Sequence, residues 1–210
     1  VVMKMPNNLF PLNPASEYDI MNPAGGMMLR TMKHEDVVNG AIQLRDGRVL
    51  SWSLDSTLRL WDEAGNPLAT LSGHTEEVCG AVELGDGRVL SWSADNTLRL
   101  WDVAGNPLAT LTGHTDEVTG AVQLGDGRVL SWAGSDSRFT ESKDNTLRLW
   151  DEAGNPLATL SGHTDYVNGA VGLGDGRVLS WSADSTLRLW DVSGNPLATL
   201  TGHTGSVYGA

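Results

Sequence analysis

Hydrophobic and polar positions along the chain form short runs that are separated by turn residues. "EVCGAVEL" (77–84) alternates in part and ends at "GDGR", whose Asp-Gly pair supplies the positive φ of a tight hairpin. "RVLSWS" (88–93) follows, and the turn "ADN" joins it to "TLRLWD" (97–102). "AGN" then leads into "PLATL" (107–111), whose proline suits the start of an edge strand. The pattern predicts four short antiparallel strands.

This four-strand unit recurs along the chain. Each copy contains one histidine, and these lie 40, 40, 49 and 40 residues apart: His34, His74, His114, His163 and His203. The 49-residue spacing arises because "AGSDSRFTESK" (133–143) adds nine residues to the third copy. Four strands repeated every ~40 residues are the sequence signature of a β-propeller. We therefore expect an all-β propeller with four complete four-stranded blades and spare strands at both termini.

The repeated motif "GHT…SWSADNTLRLWD" resembles the WD40 repeat. That repeat has Gly-His at its head, Asp in the turn between the second and third strands, and Trp-Asp at the end of the third strand. The resemblance covers residues 25–210, with units starting near positions 33, 73, 113, 162 and 202. Residues 1–24 remain outside it and are predicted to form an irregular lead-in.

The composition limits the cellular compartments and the classes of partner that we expect for the protein. The net charge of −12 argues against nucleic acid and membrane surfaces, because an acidic surface repels phosphate backbones and anionic lipid. The sequence has no apolar run long enough for a transmembrane helix. A single cysteine allows no intrachain disulfide, which suits a reducing compartment, and we expect a cytoplasmic protein.

The WD40 resemblance implies a structural role for the recurring polar residues. In that family a His, a Ser or Thr, the turn Asp and the Trp form a hydrogen-bonded network inside each blade. A Ser, a His and an Asp could instead suggest a nucleophilic triad, and five histidines a metal site. A hydrolytic site occurs once and metal ligands cluster, whereas this set recurs in every blade. We expect no catalytic residue, metal ligand or cofactor. The predicted networks are His34, Ser51, Asp55 and Trp61; His74, Ser91, Asp95 and Trp101; His114, Ser131, Asp144 and Trp150; and His163, Ser180, Asp184 and Trp190.

A second set of tryptophans lies on the second strand of each unit, between small residues. Successive side chains of a strand point to opposite faces, so these indoles face away from the flanking small residues. We expect them to pack between neighbouring blades: Trp52, Trp92, Trp132 and Trp181.

Positions that differ between the copies flank a constant valine at the entry to the first strand, or precede the turn Asp. Both segments lie at the same end of a blade, and the inserted segment enlarges the same turn. In the WD40 family this end commonly binds peptides or proteins; neutral drift of exposed residues would give the same variation. The candidate binding residues are Val37, Asn39, Leu54, Glu77, Cys79, Ala94, Glu117, Thr119, Arg138, Phe139, Lys143, Tyr166, Asn168, Ala183, Ser206 and Tyr208.

The combined features favour a non-enzymatic scaffold or recognition module that binds protein or peptide partners on this variable face. The alternative is a lectin-like propeller that binds one small ligand at each blade. Four blades and two spare strands do not close a WD40 ring, which typically has about seven blades within a range of 4–8. The chain is therefore expected to be part of a longer protein or to form a head-to-tail homo-oligomeric ring.

Overall fold

The computed structural model describes residues 18–21, 28–134 and 144–209. Two strands, β1 (Tyr18–Met21) and β2 (Met28–Met32), form an antiparallel pair at the start of this part of the chain. The prediction of an irregular segment over residues 1–24 is therefore wrong for the four residues of β1. Pairing with β2, which no local pattern in that segment indicates, gives β1 its extended conformation.

The remaining strands form four sheets of four strands, each connected antiparallel in chain order. Among the described residues there is no helix, and hence no helix that could span a membrane. The prediction of an all-β protein with four four-stranded blades is confirmed. The sheets are blade 1, β3 (Val38–Gln43), β4 (Val49–Ser53), β5 (Thr57–Trp61) and β6 (Pro67–Ser72); blade 2, β7 (Val78–Glu83), β8 (Val89–Ser93), β9 (Leu98–Trp101) and β10 (Pro107–Leu111); blade 3, β11 (Val118–Gln123), β12 (Val129–Ala133), β13 (Leu147–Trp150) and β14 (Pro156–Leu160); and blade 4, β15 (Val167–Gly172), β16 (Val178–Ser182), β17 (Leu187–Trp190) and β18 (Pro196–Leu200).

The turns within a blade follow from their residues. Between β3 and β4, Gly47 has a φ of 91° and its N–H donates to the Leu44 carbonyl at 3.0 Å. Glycine adopts this backbone conformation without the steric cost that a Cβ imposes. Pro67 opens the outer strand of blade 1, where its missing N–H costs no ladder hydrogen bond.

The first strand of each blade contains a β-bulge. In blade 1, Val38 pairs with Ser53 and Gly40 with Trp52, so Asn39 is an extra residue that faces no partner. A bulge bends the strand and re-aims its side chains. The same irregularity recurs between Val78 and Gly80 and at the corresponding positions of blades 3 and 4.

The core of the molecule lies between blades rather than within them. The first cluster joins Leu58, Leu60 and Leu71 of blade 1 to Val78 and Trp101 of blade 2. Equivalent clusters join blade 2 to blade 3 and blade 3 to blade 4. Each of the first three sheets therefore buries one apolar face against the opposite face of the next sheet.

The second-strand tryptophans contribute to these clusters where a following blade is present. Trp52 is 7% exposed within the first cluster, and Trp92 and Trp132 pack against the other two. The Trp92 ring lies over Gly80 on the neighbouring strand, where a Cβ would overlap it. The same Trp–Gly pairing occurs in every blade, at Gly40, Gly120 and Gly169.

We predict that Gly80→Ala destabilises the protein by about 1–3 kcal/mol, because the added methyl forces Trp92 out of its packed position. Thermal or urea unfolding would measure the loss. Gly125→Ala is the matched control, since no heavy atom lies within 4 Å of a Cβ at that position. Equal unfolding free energies for the two variants would contradict the assigned role of Gly80.

Candidate functional site

A chain of hydrogen bonds links two strands, the turn between them and the segment that leads into the first strand of each blade. In blade 2 the Trp101 indole N–H donates to Ser91 Oγ at 2.9 Å. Ser91 Oγ lies 2.9 Å from His74 Nε2, and His74 Nδ1 lies 2.8 Å from Asp95 Oδ2. Ser91 and Trp101 are both fully buried. The four residues that are widely separated in sequence therefore form one buried polar chain.

The donors and acceptors in this chain specify one protonation state. The Ser91 hydroxyl accepts from Trp101, so its own proton is available to His74 Nε2. His74 then carries its proton on Nδ1 and donates it to the Asp95 carboxylate. A neutral imidazole satisfies every polar atom of the chain, whereas an imidazolium would place a second proton against the serine.

Burial lowers the pKa of His74, because desolvation disfavours the imidazolium more than the nearby Asp95 carboxylate favours it. The pKa values of His34 and His163 are lowered for the same leading reason. For Asp95, burial by itself raises the pKa, but hydrogen bonds from Thr97, His74 and the Thr75 N–H outweigh it, so the pKa is lowered. The carboxyls of Asp55, Asp144 and Asp184 show the same direction.

The same three contacts occur in the other three blades. Indole-to-serine distances are 2.9 Å throughout, and the histidine contacts lie between 2.8 and 3.0 Å. The structure thus brings together every member of the four predicted sets. His203 opens a fifth copy and is exposed.

The serine hydroxyls of the network are not accessible to a substrate. Ser91, Ser131 and Ser180 are fully buried, so no carbonyl can approach their hydroxyls. Each hydroxyl is also already used by a histidine and an indole. Among the described residues no three or more His, Cys, Asp and Glu side chains group in a way that could hold a metal ion.

The described variable positions converge at one end of the blades, which we name the entry face; it comprises the candidate binding residues given above except Arg138, Phe139 and Lys143. A backbone hydrogen bond connects its two segments: the Leu54 N–H donates to the Val37 carbonyl at 2.9 Å. The Ala94 N–H donates likewise to Glu77, and the Ala183 N–H to Tyr166. Residues that lie 17 positions apart in sequence are therefore immediate neighbours.

Some side chains of the entry face are engaged in contacts between blades. Asn39 donates to the Val78 carbonyl at 3.0 Å, and Asn168 donates to the Val207 carbonyl at 2.8 Å. Cys79 lies 3.3 Å from Glu117 Oε1 on the next blade. Burial, reinforced by the charge of Glu117, raises the pKa of the Cys79 thiol and keeps it protonated.

Other side chains of the entry face are open to solvent. Leu54 is 37% exposed and Tyr208 is 74% exposed, and Thr119 is also exposed. Val37, Glu77, Ala94, Tyr166, Ala183 and Ser206 are half-buried. Three residues of the predicted set, Arg138, Phe139 and Lys143, lie outside the described residues.

Sequence comparison between copies missed further acidic residues at the same end of the molecule. Glu35, Asp36 and Glu76 lie in the entry segments and are exposed. Asp36 also accepts a hydrogen bond from the Val37 N–H at 2.7 Å, so it shapes the segment that leads into β3. The signal that could have revealed them is their position one or two residues after His34 or His74.

The repeated units match a known protein family. The family model described as "WD domain, G-beta repeat" matches residues 65–102, 105–151 and 154–191, which is more than half of the chain. The chain belongs to the WD40 family. WD40 propellers are in general non-enzymatic modules for protein interaction.

Two solved WD40-like structures show the extent of the similarity. The WD40 β-propeller domain of Doa1 is 28% identical, with a TM-score of 0.64 over 85% of this chain and 58% of that chain. The computationally designed Ika8 protein is 30% identical, with a TM-score of 0.70 over 87% of this chain and 55% of that chain. The chain thus spans somewhat more than half the length of each. No curated protein sequence matches it.

We predict that Ser91→Ala destabilises the WD40 chain by about 1–3 kcal/mol, because it leaves the Trp101 N–H and His74 Nε2 buried without partners. Chemical unfolding would measure the difference. Ser72→Ala, at an exposed position of β6, is the control and should change stability by less than about 0.5 kcal/mol. A neutral effect of Ser91→Ala would show that the network does not stabilise the fold.

We predict that stability decreases as the pH falls below about 6.5. The lowered pKa values of His34, His74 and His163 mean that the unfolded chain binds more protons in this range. The lowered carboxyl pKa values add a second loss below pH ~4. Urea unfolding at several pH values, in about 0.5 M salt to screen the net charge, would measure the slope.

The exposed His203 provides the control for this pH dependence. His203→Gln should leave the slope unchanged, because the His203 side chain is exposed and belongs to none of the four buried networks. A stability that is constant or rises between pH 7 and pH 5 would contradict the neutral state assigned to the buried histidines.

Proposed function

We propose that this chain is a non-enzymatic recognition module that binds a protein or peptide partner on its entry face. The observation that carries the proposal is the hydrogen-bonded juxtaposition of the two variable segments, Glu77 with Ala94 and Tyr166 with Ala183. Within a blade, this bond brings two positions that differ between copies next to each other on an otherwise repeated scaffold. A rigid scaffold that carries variable loops is a common arrangement in binding proteins.

The charge of the entry face favours a partner with complementary positive groups. Glu35, Asp36 and Glu76 are exposed there, and Glu77 and Glu117 lie between them and the bulges. Complementary charge increases the rate of association and suppresses the wrong partners more than it increases affinity. Nucleic acid, whose phosphates are negative, does not suit this surface.

The repeated tryptophans give no support to a ligand site in every blade. A lectin-like site needs accessible aromatic and polar groups at equivalent positions, but Trp52, Trp92 and Trp132 pack between blades.

The single Cys79 forms no intrachain disulfide, and we infer that the module works in the reducing cytoplasm.

The test is affinity capture followed by quantitative binding. The protein would be immobilised, its captured partner identified by mass spectrometry, and the dissociation constant measured with the purified partner. We expect Glu77→Lys combined with Glu117→Lys to weaken binding at least about tenfold, because the change reverses two charges on the proposed surface.

The control reverses a charge at the opposite end of the blades. Glu63 is exposed in the turn between β5 and β6, and Glu63→Lys should leave the dissociation constant within about twofold of the original. Circular dichroism would establish that each variant is folded. Equal weakening by both changes, or none by either, would refute the assignment of the entry face.

A further inference from the structure

The last blade differs from the others in the burial of one face. We name this the trailing face; it consists of Leu179, Trp181, Leu187, Leu189 and Leu200. Leu200 is 47% exposed, whereas the residues in its place on β6, β10 and β14 are 2%, 2% and 1% exposed. Leu179, Leu187 and Leu189 are half-buried, and their counterparts are at most 4% exposed. A contiguous apolar sheet face is therefore uncovered.

The first blade shows a complementary deficit at Val38, Ala41 and Val49, while Trp61 is 4% exposed. We name its side the leading face; it consists of Val38, Ala41, Val49 and Trp61. In the first inter-blade cluster the equivalent residues of blade 2, Val78, Ala81, Val89 and Trp101, cover the trailing face of blade 1. Ala41 is exposed and Val38 is half-buried, although Ala81 is 8% and Val78 is 0% exposed.

A polar contact between blades is interrupted at the same place. Arg48 Nη1 donates to the Val103 carbonyl of blade 2 at 2.7 Å, and Arg88 and Arg128 make the equivalent bonds to Glu152 and Val192. Arg177 makes the same bonds to Asp175 in its own turn, but its side chain is 42% exposed instead of 20–22%. Within the described part of the chain, no carbonyl of a following blade accepts from it.

We propose that the trailing face of one copy of this chain docks on the leading face of a second copy, head to tail. A second copy fits the trailing face because three interfaces inside the chain already pair these two kinds of face. The second copy presents Trp, Val, Val and Ala at the matching positions. It also presents the Glu63 carbonyl, which is the equivalent of Val103, to Arg177. Such a contact joins two different surfaces and is heterologous.

Docking requires one chain segment to be replaced by another at the edge of the interface. Residues 203–209 now occupy the start of a following blade: Val207 is 6% exposed, and its N–H donates to the Ser182 carbonyl at 3.1 Å. Asn168 donates to Val207 as Asn39 does to Val78. The equivalent residues 33–39 of the second copy would replace this segment. Strand β2 leads into those residues as β6 leads into the equivalent segment of blade 2, so β2 would have to move aside for the incoming β18.

The experiment measures the self-association of the full chain by native mass spectrometry and sedimentation over a range of concentrations. We expect dimers, and Leu200→Glu should raise the dissociation constant at least about tenfold, because it places a carboxylate in the apolar contact. Leu197→Glu is the matched control. Leu197 lies on the same strand and is 52% exposed, but its equivalents Leu68, Leu108 and Leu157 are also 51–52% exposed, so it lies outside the interface and should have no effect.

A mixing experiment tests the head-to-tail geometry. Ala41→Glu should also weaken self-association, because it alters only the leading face. Leu200→Glu keeps an intact leading face and Ala41→Glu an intact trailing face, so an equimolar mixture should regain a heterodimer through one unaltered interface. Val207→Glu, which loosens the competing segment, should lower the dissociation constant.

Several results would overturn the proposal. A chain that stays monomeric at all concentrations would assign the trailing face to another protein or to a further blade. Indifference to Ala41→Glu would indicate a symmetric contact between two trailing faces. An equal effect of Leu197→Glu and Leu200→Glu would indicate nonspecific association. The entry face is distinct from the trailing face, so capture of a partner by the entry face is tested independently of these outcomes.

Discussion

The packing of one sheet against the next is the interaction on which the whole molecule depends. Each blade has leucines on one face and a Val–Trp surface on the other, and a single four-stranded sheet cannot bury both. Only a neighbouring blade can cover them, as the cluster of Leu58, Leu71, Val78 and Trp101 shows. The close approach of Trp92 to Gly80 is part of the same constraint, because the indole that fills the space between blades leaves no room for a Cβ on the adjacent strand.

The buried polar network connects this packing to the surface. Its first member, Trp101, is part of the inter-blade cluster, and its last member, Asp95, accepts hydrogen bonds from the Thr75 and Thr97 N–H groups. One chain of hydrogen bonds therefore runs from the core to the two segments that form the entry face. Because every polar atom along it is satisfied, the network can be buried without a large penalty and can hold the segments in one arrangement. Substitutions at Ala94 or Glu77 then change the surface and leave its support unaltered.

The division between support and surface explains how near-identical repeats can carry a specific function. Residues that stabilise the blade form side-chain hydrogen bonds in every copy, as Ser91 does with His74 and Trp101. Residues such as Leu54 and Tyr208 are largely free of such contacts and are exposed. Asn39 and Cys79 are exceptions, because they vary between copies but contact the next blade. Part of the variation therefore changes the contacts between blades.

The sequence by itself determined the number of blades and the strands and turns within them, but not β1. These depend on local patterns, such as the Asp-Gly hairpin at Gly47 and the alternation around Leu98, which act over a few residues. The members of the polar network were inferred from a family resemblance because they repeat at fixed offsets. Only the tertiary structure decided which side chains remain accessible: Leu187 and Leu58 both stand in the sequence "DSTLRLWD", yet one is half-buried and the other is 0% exposed. Burial is a property of what lies opposite a side chain, and a repeated sequence is the same whether or not a neighbour is present.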